Sequence, residues 1–368
     1  MTDFPERPPL YYGSYLKLDR LLSCQEMESA KLGRPAHDEM LFIVVHQAYE
    51  LWFKQILFEL DAVQEIFASQ PVHDRDVGRA SRALGRVQEI LKLLVHQVDV
   101  LETMTPLDFL DFRELLYPAS GFQSTQFREI ETRLGLRRDD RLPFDRMAFD
   151  QRLSEADRRK LEAVECRPSL SDQVEAWLER TPFVDFGGYR FQETYRAAVS
   201  RMLGRDIAYI ERNQAISEEE RQTELKRLAS ARERFDAIFD AARHRELHAR
   251  GVWRLSLRAL QAALFINLYR DEPALQVPFN LLSRLMDIDE TMTTWRYRHA
   301  QMVQRMIGLK LGTGGSSGHD YLKAAAERHR VFGDLFALST FLIPRSTLPD
   351  LPDPVRRAMA FTYAAEQV

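Results

Sequence analysis

HDEMLFIVVHQAYELWFKQILFEL, residues 37–60, contains neither Gly nor Pro, and apolar or aromatic residues cover nearly every side of the helix that it predicts. A helix that is apolar all round is a buried one, so we expect other elements to pack around it. Its length would suit a membrane span, but its ionisable side chains make insertion costly. These are His37, Asp38, Glu39, His46, Glu50, Lys54 and Glu59. The segment therefore predicts the central helix of a soluble protein.

One face of this helix combines a histidine with aromatic rings. Phe42, His46, Tyr49 and Phe53 follow each other at steps of four, three and four, a spacing that stacks them on one side. Two interpretations are open. His46 is either a core histidine bonded to a nearby carbonyl, or part of a pocket for a flat apolar ligand whose polar edge meets the imidazole.

The composition is that of an ordinary soluble protein. The 368 residues are 45% hydrophobic and 29% charged, and the net charge of -4 comes from 51 basic and 55 acidic residues mixed along the chain. No basic block predicts binding to nucleic acid or to a membrane surface. The first ten residues, MTDFPERPPL, lack the apolar run of a secretory signal, so we expect a cytoplasmic location.

The cysteine content limits the cofactor chemistry. Cys24 and Cys166 are the only two cysteines, too few for a disulfide framework or a cysteine-ligated zinc site. The sequence also lacks the CxxCH motif of covalent haem attachment. Any haem would therefore be held non-covalently.

Helical periodicity continues through the rest of the chain. Helices are predicted at 77–104, 107–116, 154–164, 169–179, 192–213, 217–242, 255–269, 279–307 and 321–342, with a terminal helix after Pro354. Thr105 and Pro106 supply a cap and a first-turn proline for the helix at 107–116. No strand alternation or βαβ spacing is present, so we predict an all-α bundle of long antiparallel helices.

The domain organisation follows from these segments. We expect one helical domain over residues 23–345, within which 136–190 is a small accessory helical region, and a C-terminal tail or helix over 346–368. Residues 1–22 form a separate N-terminal segment in which Ser14 or Asp19 could cap a short helix. Its exposed aromatic residues either pack on something outside their own domain or fold back onto it.

A second histidine lies in an apolar helix. The stripe of the helix at 279–307 steps by three or four through Leu282, Leu285, Ile288, Met292, Trp295, His299, Met302 and Met306. His299 therefore occupies a position where the pattern favours a hydrophobic residue. A neutral imidazole among apolar side chains suits a haem-iron ligand, and a structural core histidine is the alternative.

Arg113 lies four residues after Phe109, on the same face of the helix at 107–116. An arginine on a helix face is commonly a solvated charge. Sharing a face with an aromatic ring favours a second interpretation, in which the guanidinium binds a ligand carboxylate through a bidentate pair.

The Gly-rich segment at 310–321, KLGTGGSSGHDY, follows a helix and lacks both the GK[ST] of a P-loop and the GxGxxG spacing. A nucleotide site is therefore not favoured. Its glycines allow the backbone to approach a ligand, and Thr313, Ser316 and Ser317 supply hydroxyl groups.

The run HRELH at 244–248 resembles a metal motif superficially. It is not HExxH, because its Glu stands between the two histidines, and no third ligand is evident. We therefore expect His244, Glu246 and His248 to form a solvated helix face.

Five segments of this sequence resemble tryptophan 2,3-dioxygenases, and they occur in that family's order. They are HDEMLFIVVHQAYELWFKQILFELD, PLDFLDFRELLYPASGFQSTQFREIE, WRYRHAQMVQRMIG, GTGGSSG and DLFALSTFLIPR. The resemblance runs over residues 11–345 and is weakest at 136–190 and after Arg345.

The resemblance implies a large helical bundle around a pocket for one non-covalent haem b per subunit, and a homotetramer. It implies that O2 is inserted across the indole C2–C3 bond of L-tryptophan to give N-formyl-L-kynurenine. That reaction is the first step of tryptophan catabolism by the kynurenine pathway.

The resemblance also implies the cofactor-binding residues. His299 would be the proximal iron ligand, and Trp295 would lie beside the haem. Ser120 and Gly121 would lie over the haem on the oxygen side.

The substrate-binding residues follow by position from the same resemblance. His46, the catalytic residue, would accept a hydrogen bond from the indole N–H, with Phe42 and Phe109 as walls. Arg113 would bind the carboxylate and Thr313 the ammonium group. Finally, Tyr12, Tyr15 and Leu16 would reach into the pocket of a neighbouring subunit. Position 109 is Phe, where some family members have Tyr, so a hydroxyl there is not essential to an active enzyme.

Two other functions compete with this prediction. One is a related haem enzyme that acts on another indole. The other is a haem-binding or purely structural helical protein that has lost catalysis. The presence of Arg113, Thr313 and His46 together favours a free amino acid as substrate.

Overall fold

The computed structural model describes residues 9–142, 153–308 and 318–361, and the all-α prediction is confirmed. The α-helices are α1 Tyr12–Leu16, α2 Leu18–Leu21, α3 Glu28–Lys31, α4 His37–Ala68, α5 Asp74–Leu101, α6 Pro106–Arg113, α7 Thr125–Leu134, α8 Glu155–Glu165, α9 Leu170–Leu178, α10 Phe191–Arg212, α11 Glu218–Ala237, α12 Ala241–Ala249, α13 Leu257–Leu268, α14 Pro273–Ile307, α15 Gly318–Arg328, α16 Gly333–Ala337 and α17 Asp353–Met359. Short 3₁₀ turns occur at Glu114–Leu116, Gly121–Gln123, Arg138–Asp140, Pro182–Val184, Leu338–Phe341 and Arg345–Thr347.

Helices α4, α5 and α14 form the centre of the fold. The Tyr49 hydroxyl of α4 donates to the Leu94 carbonyl (2.7 Å), and the Gln97 amide of α5 donates to the Val45 carbonyl (2.9 Å). The pairing runs in opposite directions along the two helices, so α4 and α5 are antiparallel. Helix α14 packs along α5, and α15 packs along α14. The predicted central helix is thus present, and it extends eight residues beyond Leu60, to Ala68.

The helix starts follow the predicted capping chemistry in part. Thr105 and Asp108 form a capping box at the start of α6, with Pro106 in the first turn. The expectation that Ser14 or Asp19 caps a helix is wrong, because neither α1 nor α2 has a side-chain cap.

The predicted start of α14 is also wrong. The helix begins at Pro273, and Pro278 lies inside it. Pro273 occupies the first turn, where a missing N–H costs nothing, and Pro278 follows soon enough that it interrupts little of the helical hydrogen bonding.

The predicted helix at 321–342 is instead broken after Arg328. Asp289 of α14 accepts hydrogen bonds from the backbone N–H groups of Val331 and Phe332, at 3.1 Å each. A buried carboxylate that captures two backbone donors stabilises a non-helical turn there. The chain then resumes as α16 and the 3₁₀ turn Leu338–Phe341.

The region at 136–190 contributes to the main core through α9. Its Leu170, Val174 and Leu178 are buried in the same hydrophobic cluster as α4 and α13. Strands β1 Asp185–Phe186 and β2 Tyr189–Arg190 pair antiparallel around Gly187 and Gly188. The domain boundaries proposed from sequence stay predictions.

Helix α10 starts in this core as well, because Phe191 and Tyr195 are buried. Residues 204–212 of α10, and every residue of α11 but Phe235, are exposed or half-buried. None of the helices described has the length and apolar character needed to cross a membrane.

Candidate active site

A cavity of about 300 Å³ opens where α4, α5, α6, α7, α14 and α15 meet. Eight residues singled out from the sequence line it together. They are Phe42, His46, Phe109, Arg113, Ser120, Gly121, Trp295 and His299. Apolar side chains such as Leu101, Met302 and Met306 make up much of the remaining wall. A concave apolar site with a few polar groups is the usual form of a small-molecule pocket.

His46 is fixed by its own helix. Its Nδ1 lies 2.7 Å from the Phe42 carbonyl, so Nδ1 carries the proton and donates. Burial lowers the pKa of His46, and the hydrogen bond to Phe42 only partly offsets that effect. The imidazole is therefore neutral near pH 7, and its Nε2 is an acceptor for a ligand N–H.

Aromatic rings form the wall next to His46. The Phe42 ring lies 4.0 Å from the His46 ring and 5.8 Å, nearly parallel, from the Phe109 ring, measured between centroids. Phe112 packs edge-on against both phenylalanines, at 5.6 and 5.5 Å. These contacts hold the rings in fixed orientations, which suits a flat apolar ligand.

Arg113 ends α6 and is half-buried in the same wall as Phe109. The capping box at Thr105 fixes the start of α6, and the helix packs on α4 and α14. Arg113 thus lines a largely apolar cavity from the end of an anchored helix. This is a suitable environment for recognising a carboxylate.

His299 and Trp295 occupy one face of α14. Their rings are stacked, with centroids 5.2 Å apart and planes inclined by 12°. Burial, together with a smaller effect of the nearby His46, lowers the pKa of His299 to about 4. The buried Nδ1 has no hydrogen-bond partner among the described residues. His299 is therefore a neutral imidazole, the form in which one ring nitrogen has a free lone pair and can bind a metal ion.

The segment from Ser120 to Ser124 forms another wall. At the turn Gly121–Gln123, Ser120 and Gln123 form a capping box, in which each side chain accepts a hydrogen bond from the other residue's backbone N–H. The Ser124 side chain caps the start of α7. A Cβ built on Gly121 would meet no described atom within 4 Å. Its φ is not positive, so the backbone does not require glycine, and the position leaves open space beside the cavity.

A buried ion cluster closes one end of the cavity. Glu131 of α7 accepts from Arg296 (2.8 Å), Arg141 (2.5 Å) and Arg128 (3.1 Å), and Arg296 also donates to the His329 carbonyl (3.0 Å). Burial alone would raise the pKa of Glu131, but the three guanidiniums outweigh it and hold that pKa well below its usual range. The cluster joins α7, α14 and the break after α15.

Sequence reasoning missed two parts of this site, Glu50 and the cluster around Glu131. The signal for Glu50 is its place one helical turn after His46, since residues four apart share a helix face. The cluster around Glu131 had no such signal, because Arg296, the partner that joins it to α14, lies 165 residues away in the chain.

Two groups of predicted site residues remain. Thr313, Ser316 and Ser317 are outside the described residues. Tyr12, Tyr15 and Leu16 are exposed, at 75%, 67% and 40%, and do not line the cavity of their own chain.

The HRELH prediction needs a correction. His244 is buried, not solvated, and its Nε2 bonds the Leu255 carbonyl at 3.0 Å, while His248 Nε2 bonds the Arg254 carbonyl at 3.1 Å. Both imidazoles therefore hold the backbone of the residues that lead into α13. No cluster of three or more His, Cys, Asp or Glu side chains that could hold a metal ion was found in the described part of the chain.

Comparison with known proteins identifies the family. The family model for tryptophan 2,3-dioxygenase matches residues 3–342. The chain belongs to the tryptophan 2,3-dioxygenase family. A tryptophan 2,3-dioxygenase of Bdellovibrio bacteriovorus is 52% identical over 356 residues, which cover 97% of this chain and 99% of the relative.

Relatives from other organisms also match nearly all of this chain. The tryptophan 2,3-dioxygenase of Alteromonas mediterranea is 47% identical and covers 96% of this chain and 98% of its own. That of Xenopus laevis is 47% identical, with 97% and 87% covered. The resemblance of the five sequence segments to tryptophan 2,3-dioxygenases is thereby confirmed.

Proposed function

We propose that this protein is a haem-dependent dioxygenase that inserts O2 across the indole C2–C3 bond of L-tryptophan and produces N-formyl-L-kynurenine. This would be the first step of tryptophan catabolism by the kynurenine pathway. The observation that carries the proposal is the single cavity shared by His299, His46 and Arg113. Membership of the tryptophan 2,3-dioxygenase family supports the same reaction.

The cofactor that fits this cavity is one non-covalent haem b per subunit. His299 offers a neutral imidazole whose Nδ1 has no hydrogen-bond partner among the residues that the structure describes, and Trp295 stacks on that ring. Met302, Val303 and Leu322 provide apolar walls for a porphyrin. His299 would hold the iron, Trp295 would lie beside the haem, and Ser120 and Gly121 would lie on the opposite side. Bound haem would supply the activation of O2.

The substrate groups match the polar residues of the cavity. The neutral His46 offers Nε2 as the acceptor for the indole N–H, and the neighbouring rings of Phe42 and Phe109 would form an aromatic wall for the indole. Arg113 is the cation for the carboxylate. Thr313 would accept from the ammonium group, by resemblance to the family.

The chemical role of His46 is to orient the indole. An indole N–H is very weakly acidic, and an imidazole with a lowered pKa is a weak base, so full proton removal is not favoured. A hydrogen bond that fixes the ring plane is sufficient. The aromatic walls and apolar residues exclude water while the substrate is held.

We infer that the protein acts as a homotetramer in which the N-terminal segment enters a neighbouring subunit's pocket. The exposed Tyr12, Tyr15 and Leu16 all lie in α1, and the next helix, α2, ends before Cys24. From there on the chain is fastened to α4, because Gln47 donates to the Cys24 carbonyl at 3.0 Å. Exposed aromatic side chains on a separate segment favour contact with another surface.

An absorption spectrum combined with a turnover assay tests the proposed function. We expect the purified chain to bind haem with a Soret band and to convert L-tryptophan to N-formyl-L-kynurenine under O2. D-tryptophan and tryptamine should be turned over more slowly, because neither presents its amino-acid groups to the same residues. A protein without a Soret band, or one with a Soret band but no turnover of L-tryptophan, would contradict the proposal.

A further inference from the structure

Glu50 introduces a carboxylate into a largely apolar cavity wall. It lies on α4 one helical turn after His46 and is half-buried. Among the described residues, no lysine, arginine or histidine forms an ion pair with it. A carboxylate kept in such a place without a cation requires strong hydrogen bonds from other donors.

Those donors come from the start of α7. The Ser124 hydroxyl donates to Glu50 Oε1 at 2.6 Å, and the Gln126 amide donates to Glu50 Oε2 at 2.7 Å. The same amide nitrogen also donates to the Glu50 carbonyl at 2.9 Å. Gln126 is therefore hydrogen-bonded to both the backbone and the side chain of Glu50.

These bonds fix the end of the segment that carries Ser120 and Gly121. Within the segment, the Ser120 N–H donates to Gln123 Oε1 at 3.1 Å, and the Phe122 N–H donates to Ser120 Oγ at 3.4 Å. The segment is thus internally braced and joins α7 at Ser124, the residue that Glu50 holds. A shift at Ser124 would be transmitted to Ser120 and Gly121.

We propose that Glu50 is a positioning residue that holds the Ser120–Ser124 segment against α4, so that the oxygen-side wall keeps a fixed distance from His46. The inference rests on the proposed function. Glu50 acts through hydrogen bonds to Ser124 and Gln126, and it makes no contact with the reacting atoms. Because α4 also carries His46, one helix sets both the indole acceptor and the wall opposite the iron ligand.

Three variants separate the hydrogen bonds of Glu50 from its charge. Glu50→Ala removes the two carboxylate acceptors. We expect kcat to fall on the order of 10- to 100-fold, because small misplacements of active-site groups reduce rates by about this much. The KM for L-tryptophan should change far less, because Arg113 and Phe109 are untouched. Glu50→Gln retains an acceptor and an amide that can pair with Ser124 and Gln126, so most of kcat should remain.

Gln126→Glu provides the complementary change. It places two carboxylates together, so kcat should fall at least as far as in Glu50→Ala. Adding Glu50→Gln to Gln126→Glu restores one carboxylate and one amide and should recover part of the loss. Glu65→Ala, on an exposed position of the same helix, is the matched control and should leave kcat unchanged.

Hydrogen exchange of the peptide spanning residues 117–127 in the haem-loaded enzyme gives a readout besides activity. Glu50→Ala and Gln126→Glu should accelerate exchange there, while Glu50→Gln and Glu65→Ala should not. If Glu50→Ala and Glu65→Ala had the same kcat and the same exchange rates, the positioning role of Glu50 would be overturned, while the proposed function would stand. An equally low kcat in Glu50→Gln and Glu50→Ala, without recovery in the double variant, would also overturn it. A wild-type chain that neither binds haem nor converts L-tryptophan would overturn the proposed function, and this role with it.

Discussion

The indole of Trp295 is stacked on the imidazole of His299, with ring centroids 5.2 Å apart and planes inclined by 12°. The two residues are one helical turn apart on α14, so their stacking follows from the helix geometry. Trp295 also packs against Phe127 at 5.0 Å and Tyr49 at 6.1 Å. The orientation of the proposed iron ligand is therefore determined by rings from α4, α7 and α14 together.

His299→Gly should abolish turnover, because the iron loses its protein ligand and glycine leaves a space of about the size of the ring. Added imidazole should enter that space and restore part of the haem spectrum and of the activity. Titration with imidazole, followed by the Soret band and by product formation, checks this. A His299→Gly protein with a wild-type spectrum in the absence of imidazole would contradict the ligand assignment.

His46→Ala should lower kcat but leave measurable activity, because an orienting hydrogen bond is lost while the aromatic slot and Arg113 remain. The haem spectrum should stay that of the wild type. Steady-state rates and spectra on the same preparation test the two statements together. Complete inactivity with normal haem would show that His46 does more than orient the indole.

Arg113→Ala should raise the KM for L-tryptophan by roughly 10- to 150-fold, since a lost charge-assisted hydrogen bond costs about 1.5–3 kcal/mol. Tryptamine has no carboxylate and provides the control within the same variant. Its KM should be nearly unchanged by the substitution. An equal rise for both compounds would indicate a distorted pocket and not a lost carboxylate contact.

His329 should make the stability of the haem-free chain depend on pH. Burial lowers the pKa of His329 to about 4, with Glu131 opposing and Arg296 reinforcing that effect, whereas an unfolded histidine has a pKa of about 6.5. Between these values the unfolded chain binds more protons, so stability falls as the pH decreases from about 6.5 towards 4.

The measurement is the free energy of urea unfolding at pH 7 and pH 5. His329→Gln, whose amide oxygen can still accept from the Leu142 N–H, should reduce the loss between these pH values by roughly 2 kcal/mol. His96→Gln, at an exposed position, is the control and should leave the loss unchanged. The prediction is wrong if the two variants behave alike.

Much of the fold could be predicted because helical periodicity is a local property. The apolar stripes of α4, α5 and α14 are complete within their own segments, and so is the capping box of α6. The cavity residues Phe42, His46, Trp295 and His299 were found for the same reason. Each of them either interrupts or completes an apolar stripe whose residue spacing can be counted along the sequence.

The missed features depend on partners that are distant in sequence. The break after Arg328 exists because Asp289, on another helix, captures two backbone N–H groups, and no residue near the break announces it. In the cluster around Glu131, one carboxylate pairs with Arg128, Arg141 and Arg296. In the sequence, each of these arginines taken alone has the appearance of a surface charge. The predicted helix at 279–307 lacks the first six residues of α14, because Pro273 starts the helix and Pro278 lies inside it.

The exchange of N-terminal segments between subunits predicts complementation. A subunit with Tyr12→Ala and Tyr15→Ala keeps an intact pocket but cannot complete its neighbour's. An Arg113→Ala subunit keeps an intact N-terminal segment but has a defective pocket. In mixed oligomers the second subunit would supply its segment to the intact pocket of the first, so activity at low L-tryptophan should exceed the average of the two separate variants. Size-exclusion chromatography with light scattering would verify mixed tetramers, and a variant carrying all three substitutions in one chain, mixed with neither parent, serves as the control. If each segment served its own pocket, or none, mixing would give only the average.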